Sequence, residues 1–526
     1  MNKRNGLGIL LVAGLLIAAC TPLVTPTPGP VTTVPEPASG SQSSQPVDEQ
    51  ESGVGDGQLA ALPSPGLFDV SWQDRTAFRG NLLEGQQAVL ETLPGASVYH
   101  IDLSIDDTLT RVEGKQEVLY TNREDDPLDR LVFRLFANLS GGLATVSNLA
   151  VNGQPLAFNL EGEESVLTVP LPEPLQTGDQ VVVQMDFAVE IPVDGSSNYG
   201  TFAYLDDVLA LAHFYPMVAV YDDRGWNEEI PSQAGDIVYN DASLYLVRAD
   251  VPADLLVAAS GSMIDREQVG GRQVLTIAAG PARDFYLAAS PRYQVVSDTV
   301  DGITVNSYAF PEHQEGAETI MGFAIEALDS FSDRFGPYPY SELDFVGTPT
   351  SALGVEYPGI IAMANRTYTS DNVIGLEATT AHEVGHQWLY NVIGNDQVGE
   401  PWLDEAMVQY ATMRYFEDRY GRAGYDGFRQ SLTDRWGRVG NEEIPIGQPV
   451  DAYPGAAYGA IVYGRGPLFF EALENEMGRE RFDSFLRDYY EEFRWQNVAA
   501  GDLRSLAEAH CDCDLTALFE AWVYGQ

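Results

Sequence analysis

The hydrophobic pattern of this chain changes its period once, near residue 310. Before that point apolar and polar residues alternate, as in the runs Ile101–Asp106 and Val183–Ile191. Alternation with period two is typical of strands buried on one face, and turn-forming Asn-Gly and Asp-Gly pairs separate such runs. The pattern therefore predicts an antiparallel β-sandwich domain over residues 66–310.

After residue 310 the apolar residues recur at helical spacing. One predicted helix places six of them on one face: Ile320, Phe323, Ala324, Ala327, Leu328 and Phe331. Short strand-like pieces follow at 343–346 and 360–363, and then more helices. Because 526 residues exceed what one compact core accommodates, we predict a multidomain protein whose second domain, 311–526, is α+β.

The N-terminus has the features of an export signal. Lys3 and Arg4 precede an apolar stretch, Leu7–Ala19, that is too short for a comfortable membrane span. The stretch ends at Cys20, and its last residues resemble the bacterial lipobox, in which the cysteine is diacylated after cleavage. Residues 1–20 are predicted to be a lipoprotein signal peptide; an ordinary secretory signal with an incidental cysteine is the alternative.

A proline-rich segment follows Cys20. Residues 21–65 contain nine prolines and no lysine, arginine or aromatic residue, a composition that cannot offset the entropy of folding. We expect a disordered linker that tethers the folded domains to a membrane through the acyl chains on Cys20. The predicted location is the bacterial cell envelope, to which the exported protein would be lipid-anchored facing the extracellular or periplasmic side.

The charge of the chain excludes one class of partner. With 29 basic and 77 acidic residues, the formal net charge is −48. A phosphate backbone would repel such a surface, so we expect no nucleic-acid partner.

The sequence His382-Glu383-Val384-Gly385-His386 carries the strongest chemical signal. On a helix, residues i and i+4 share a face, so both imidazoles can reach one Zn²⁺ while Glu383 lies beside a bound water. The alternative is a pair of core or surface histidines. The flanking run Leu376–Tyr390 contains no proline, and Gly394 is a candidate helix stop.

A catalytic zinc needs a third protein ligand. A second predicted helix begins near Pro401 and carries Glu405 close to its N-terminus, 19 residues after His386. Asp404 and Glu400 would complement the helix dipole equally well, so chemistry alone does not select Glu405.

These motifs together resemble the gluzincin metallopeptidases of the M1 family, the aminopeptidase N-like enzymes. The resemblance rests on HEVGHQW followed by WLDEA, on LGVEYPG at 353–359, which is similar to the family's G-x-M-E-N segment, and on the tyrosines of YGAIVYGRG at 458–466. Further landmarks extend it over residues 95–526. The family implies a saddle-like N-terminal β domain packed on a thermolysin-like catalytic domain.

The resemblance also implies a role for each matching residue. His382, His386 and Glu405 would bind one Zn²⁺, and Glu383 would act as general base. Tyr463 would donate a hydrogen bond to the tetrahedral oxyanion, with Tyr458 as its neighbour.

Substrate binding is implied for the segment that contains Gly354 and Glu356. The Glu356 carboxylate would hold the free α-ammonium of a peptide, and the backbone of the segment could pair with the extended substrate. The family usually supplies a second amine-binding side chain from the sheet domain. Here the nearest acids before the Phe-Tyr-Pro landmark are Asp206 and Asp207, whose alignment is open.

The predicted function is therefore that of a zinc aminopeptidase acting on extracellular peptides. A zinc endopeptidase, an epoxide-hydrolysing relative and an inactive peptide-binding or adhesion lipoprotein are the alternatives. Cys511 and Cys513, with His510, lack a fourth ligand for a second metal, so a local disulfide or a pair of free thiols is expected.

Overall fold

The computed structural model describes residues 62–93 and 95–525. The predicted signal peptide, Cys20 and the linker up to residue 61 lie outside this range. Within it, no helix combines the length and the apolar character needed to traverse a lipid bilayer.

The first part of the described chain is built from strands and begins after one short helix, α1 (Val89–Thr92). Its strands are β1 (Val98–Ile105), β2 (Arg111–Thr121), β3 (Leu128–Arg134), β4 (Leu143–Val151), β5 (Gln154–Pro155), β6 (Asn159–Glu161), β7 (Val166–Leu175), β8 (Gln180–Glu190), β9 (Phe202–Leu205), β10 (Val208–Leu211), β11 (Met217–Val218), β12 (Tyr221–Asp222), β13 (Gly225–Trp226), β14 (Ser243–Pro252), β15 (Leu256–Ala259), β16 (Ser262–Val269), β17 (Arg272–Ala282) and β18 (Leu287–Ser290).

These strands form a sandwich, as the alternating pattern predicts. An eight-stranded sheet has the order β16-β17-β14-β1-β2-β8-β4-β5, and two four-stranded sheets have the orders β15-β18-β10-β9 and β11-β3-β7-β6. Alternate residues of the large sheet, such as Ile101 and Val183, are buried in one core with Leu131 and Leu209 of the smaller sheets. Most neighbours are antiparallel, but β1 and β14 pair in parallel.

A five-stranded sheet lies at the start of the second part. Its strands are β19 (Gln294–Val300), β20 (Ile303–Ala309), β21 (Glu342–Thr348), β22 (Gly354–Tyr357) and β23 (Ile360–Ala364), in the order β19-β20-β21-β23-β22. β19 and β20 therefore lie before the boundary predicted at residue 310 but belong to the sheet of the second part. Period-two alternation identifies a strand but not its partner, so the sequence does not distinguish β19 and β20 from the preceding strands.

Helices make up most of the remaining chain. They are α2 (Gln314–Arg334), α3 (Val373–Gly385), α4 (Glu405–Tyr420), α5 (Arg422–Trp436), α6 (Ala457–Ala460), α7 (Gly466–Met477), α8 (Arg479–Phe493), α9 (Ala500–Cys511) and α10 (Thr516–Phe519). The six apolar residues predicted to share one face of α2 are all buried. At the end of α9, Cys511 and Cys513 form a disulfide.

Candidate active site

Helices α3 and α4 bring three metal-ligand side chains together in the second part of the chain. His382 lies in the last turn of α3, His386 follows its final residue, and Glu405 is the first residue of α4. The Nε2 atoms of His382 and His386 lie 3.2 Å apart. Oε2 of Glu405 lies 3.1 Å from Nε2 of His382 and 3.5 Å from Nε2 of His386. Three donor atoms, on residues between positions 382 and 405, thus converge on one point.

The two helices differ slightly from the sequence prediction. α3 ends at Gly385 rather than near Gly394, and in the turn that follows, His386 Nδ1 donates a hydrogen bond to the Leu389 carbonyl. α4 begins at Glu405 rather than at Pro401, although the Glu405 amide already donates to the Pro401 carbonyl. Both changes leave the side chains on the shared face that the spacing predicts.

The close approach of the helices depends on a glycine. A β-carbon at Gly385 would lie 2.9 Å from Cγ1 of Val408 on α4, which is closer than such atoms pack. The glycine within the HEVGH sequence therefore allows α4 to lie near enough for Glu405 to reach the histidines.

The electrostatics of Glu405 and His382 favour a bound cation. At His386, the charges of Glu356 and Glu405 outweigh burial and raise the pKa of the imidazole well above its ordinary value, so a metal would displace a proton there. Burial opposes the charge of Glu405, yet the adjacent His386 and His382 hold the pKa of its carboxyl well below the ordinary value. Burial lowers the pKa of His382 and keeps that imidazole neutral at pH 7. The carboxylate is thus charged and His382 offers a lone pair, which are the protonation states that a metal requires.

The donor set fits zinc. It consists of two imidazole nitrogens and one carboxylate oxygen, the combination found in catalytic zinc sites with an open fourth position. Oε2 of Glu405 is buried and has no hydrogen-bond donor among the described residues, so a cation at this point would satisfy it. A second group of possible ligands, Glu356, His386 and Asp404, is bridged instead by the Gln397 amide, which donates to both carboxylates.

Glu383 lies beside the ligands, against the strand β22. A β-carbon at Gly354 would lie 2.5 Å from Cδ of Glu383, so only glycine at that position leaves room for the carboxylate. Burial, followed by the charge of Glu356, raises the pKa of Glu383 well above its ordinary value. A carboxyl with a raised pKa can take a proton from water and give it up again.

Tyr463 reaches the ligands from a π-helical turn, Ile461–Arg465, between α6 and α7. Its Oη donates a hydrogen bond of 2.5 Å to Oε1 of Glu405, and its ring centroid lies 6.1 Å from that of His382. Tyr458 contacts the Tyr463 ring edge-on at 5.7 Å. The predicted oxyanion donor therefore lies at the predicted metal ligands.

Glu356 lies in β22, on the side of the site where His386 is found. Its Oε1 is 3.9 Å from His386 Nδ1 and accepts a hydrogen bond of 3.1 Å from Gln397. Burial raises the pKa of Glu356, while His386 opposes that shift. β22 is the edge strand of its sheet, so a peptide can pair with its backbone.

Gln387 connects β22 and the turn after it to the segment that carries the predicted zinc ligands. Its amide nitrogen donates to the Tyr357 carbonyl, and its amide oxygen accepts from the Gly359 amide. Because Gln387 follows His386 directly, these hydrogen bonds hold the Glu356 carboxylate and the predicted metal ligands in one rigid arrangement.

Three residues at the site escape the sequence analysis. Asp236 enters the cleft from a long loop of the sheet domain, and burial together with Glu356 raises its pKa well above the ordinary value. Gln397 bridges Glu356 and Asp404, and Arg435 of α5 lines the cleft. No local motif marks them, since tertiary packing alone brings them to the site.

Asp206 and Asp207 do not line the cleft. Both are exposed in the turn between β9 and β10, and Asp207 pairs with Arg292 at 3.6 Å. Asp236 is thus the acid that the sheet domain contributes next to Glu356.

Asp404 is fully buried behind Glu405. It accepts hydrogen bonds from Asn395 and Gln397. Burial and the adjacent Glu405 raise its pKa to about 7. Asp404 therefore supports the ligand segment from behind, and its carboxylate belongs to the Gln397 network.

Comparison with known proteins agrees with this arrangement. The family model described as the peptidase family M1 domain matches residues 320–522. Among curated proteins, the chain is similar to human endoplasmic reticulum aminopeptidase 2, with 22% identity over 66% of this chain and 37% of that protein. Mouse aminopeptidase RNPEPL1 is 30% identical over 39% of this chain and 31% of that protein. The chain spans about a third of the length of the curated relatives it matches.

Solved structures share the fold. The crystal structure of the M1 zinc metallopeptidase from Deinococcus radiodurans covers 81% of this chain and 93% of its own, with a TM-score of 0.59 and 20% identity. A mutant of that protein, bound to a Tyr-Ser-Ala substrate, matches with the same TM-score. The strand-rich part followed by a helical part is therefore an architecture already known from a two-domain protein.

Proposed function

We propose that the protein is a zinc-dependent aminopeptidase that removes N-terminal residues from peptides, a proposal supported by the match of residues 320–522 to the peptidase family M1 domain model. The observation that carries the proposal is the position of Glu356. A buried carboxylate in an open edge strand lies 3.9 Å from a ligand histidine. It can hold a substrate ammonium only one residue away from the reacting carbonyl.

The chemistry follows from the positions of the side chains. His382, His386 and Glu405 would hold zinc, which when bound acidifies water and polarises the scissile carbonyl. Glu383 accepts the proton of the attacking water and returns it to the leaving amine. Tyr463 donates its hydroxyl hydrogen to the oxygen on which charge develops, a contact that is strongest in the transition state.

The amine end of the cleft supports removal of single residues. Glu356 and Asp236 place two carboxyl groups where an ammonium would lie, and Gln397 orients the Glu356 carboxylate. The peptide-bound mutant of the Deinococcus radiodurans metallopeptidase is consistent with a peptide as substrate for a protein of this fold.

The test is the pattern of products from one peptide with a free N-terminus and from its N-acetylated form, followed by mass spectrometry. We expect stepwise loss of N-terminal residues from the free peptide and little cleavage of the acetylated one. Internal cleavage, or equal rates for both peptides, would favour the zinc endopeptidase.

We also propose that the mature protein is lipid-anchored through Cys20. This proposal rests on the lipobox-like sequence before Cys20 and the proline-rich segment 21–65, and acyl chains bury enough methylenes to hold a protein at a bilayer. Cys20→Ser is expected to release the protein from membranes or to leave its precursor uncleaved. Membrane retention of a cleaved Cys20→Ser protein would contradict the anchor.

A further inference from the structure

Arg435 places a positive charge in the wall of the active-site cleft. It lies in the last turn of α5 and lines the cleft together with Tyr463 and Glu405. Its guanidinium carbon lies 5.7 Å from the centroid of the Tyr463 ring. The side chain thus belongs to the same cavity as the metal ligands.

This guanidinium makes no ion pair or hydrogen bond with any residue in the described part of the chain, although the chain has 77 acidic residues. Other arginines of the same helix are paired, since Arg422 lies 2.9 Å from Asp426 and Arg429 lies 2.6 Å from Glu471. Burial lowers the pKa of Arg435 to about 10, so it remains charged at neutral pH. The side chain is half-buried in the cleft wall, and its guanidinium, which has no acidic partner among the described residues, is available to an anionic ligand.

The position of Arg435 relative to Glu356 gives the cleft two ends. Glu356 lies beside His386, at 3.9 Å. Arg435 lies instead behind Tyr463, whose ring contacts that of His382. A peptide whose ammonium is held at Glu356 and whose carbonyl lies at the ligands would therefore extend its following residues towards Arg435.

We propose that Arg435 binds a carboxylate in the part of the substrate that follows the scissile bond. This inference rests on the proposed aminopeptidase function and adds a substrate class, namely short peptides with a free C-terminus. A guanidinium presents a planar fork of donors that matches a carboxylate. With the carboxyl groups of Glu356 and Asp236 at one end and a guanidinium at the other, the cleft complements a zwitterionic short peptide.

The carboxylate could be the C-terminus of a short peptide or an acidic side chain, and the two sources are separable. Ala-Ala and Ala-Ala-Ala are compared with their C-terminal amides, and Ala-Asp-amide is compared with Ala-Asn-amide. For the wild type we expect kcat/KM to be about ten- to hundredfold higher for the free acids than for the amides, the range for one charge-assisted hydrogen bond.

Variants assign the preference to one side chain. Arg435→Gln should bring the acid-to-amide ratio close to one, because the acids lose more than the amides do, and Arg435→Lys should retain part of the ratio. Arg438→Gln is the matched control, because Arg438 is exposed one turn away and does not line the cleft. It should keep the wild-type ratio.

Two outcomes overturn the inference. The first is that the wild type hydrolyses the carboxylate-bearing substrate of every pair no faster than its uncharged counterpart. This outcome can be seen without any variant. The other is an equal loss for all substrates in Arg435→Gln, which would show that Arg435 only positions Tyr463. If the Asp–Asn pair alone responds and depends on Arg435, the carboxylate assignment holds and its source is a side chain.

Binding separates this inference from the function on which it rests. Calorimetry on a Glu383→Gln background should show tighter binding of Ala-Ala than of its amide, and Arg435→Gln should remove the difference. If the wild type hydrolyses no aminoacyl compound but this difference remains, the proposed activity is wrong and the carboxylate site stands. Equal affinities in an enzyme that does hydrolyse aminoacyl compounds would refute the site alone.

Discussion

The hydroxyl of Tyr463 donates a hydrogen bond of 2.5 Å to Oε1 of Glu405, whose other oxygen faces the two histidines. One phenol therefore touches the ligand set directly, from a π-helical turn. Irregular turns of this kind are frequent at functional sites, because they shift one side chain out of helical register.

Tyr463→Phe is expected to lower kcat by about 10²–10³-fold, the usual cost of losing one oxyanion donor, with a much smaller change in KM. Steady-state kinetics on an aminoacyl chromogenic substrate measure both. Tyr458→Phe is the matched control and should lose far less, since its ring contacts Tyr463 rather than the ligands. Equal losses in the two variants would contradict the assignment of Tyr463.

Glu383→Gln is expected to lose most of kcat while keeping zinc. The side chain is not in the ligand group, and its amide cannot accept the proton of the attacking water. Zinc content by elemental analysis and kcat by steady-state kinetics test the two halves. Wild-type activity in the variant would mean that another group is the base, and loss of zinc would mean that Glu383 supports the ligands.

Glu356→Ala is expected to weaken cleavage of peptides with a free N-terminus by about thirtyfold to several thousandfold in kcat/KM. The cause is a substrate ammonium left without its partner in a partly enclosed cleft, at about 2–5 kcal/mol. Acetylated peptides, already poor substrates, should hardly change. The double-mutant cycle between the Glu356 carboxylate and the acetyl group measures the coupling, and a coupling near zero would exclude Glu356 as the amine anchor.

Arg283 joins the sheet domain to the catalytic part. It is buried, and its guanidinium donates to oxygen atoms of three separate segments: Asn240, Asn391 with Val392, and Gln496 with Asn497.

Arg283→Met is expected to lower the free energy of unfolding by about 3–5 kcal/mol, because several buried carbonyls lose their donor. Arg111→Met, which removes an exposed pair with Glu113, should change it by less than about 1 kcal/mol. Chemical denaturation followed by fluorescence measures both. Similar midpoints for the two variants would show that the Arg283 network adds little to stability.

Local periodicity predicts the elements of this protein better than their partners. The alternation around Ile101 and Val183 predicts strands that the structure buries on one face, and the helical spacing from Ile320 predicts α2. The same alternation cannot show that β20 pairs with β21 across α2. For that reason the boundary predicted at residue 310 lies after β19 and β20, whereas the structure places these strands in the sheet of the second part.

The site residues also separate into those that local spacing predicts and those that it does not. His382 and His386 lie one helical turn apart, so their convergence follows from helix geometry. Asp236 and Arg435 come from a loop of the sheet domain and from the end of α5, and no fixed spacing relates them to the histidines. Their positions depend on how the domains and helices pack, which a single sequence does not reveal.

The most direct test of the central claim is a zinc titration of the metal-free protein, with hydrolysis of an aminoacyl chromogenic substrate as the readout. Activity should be absent without metal, rise linearly and reach a plateau at one zinc per chain, because His382, His386 and Glu405 form one ligand group. Full activity in the metal-free protein, or no activity at any zinc content, would contradict a zinc aminopeptidase.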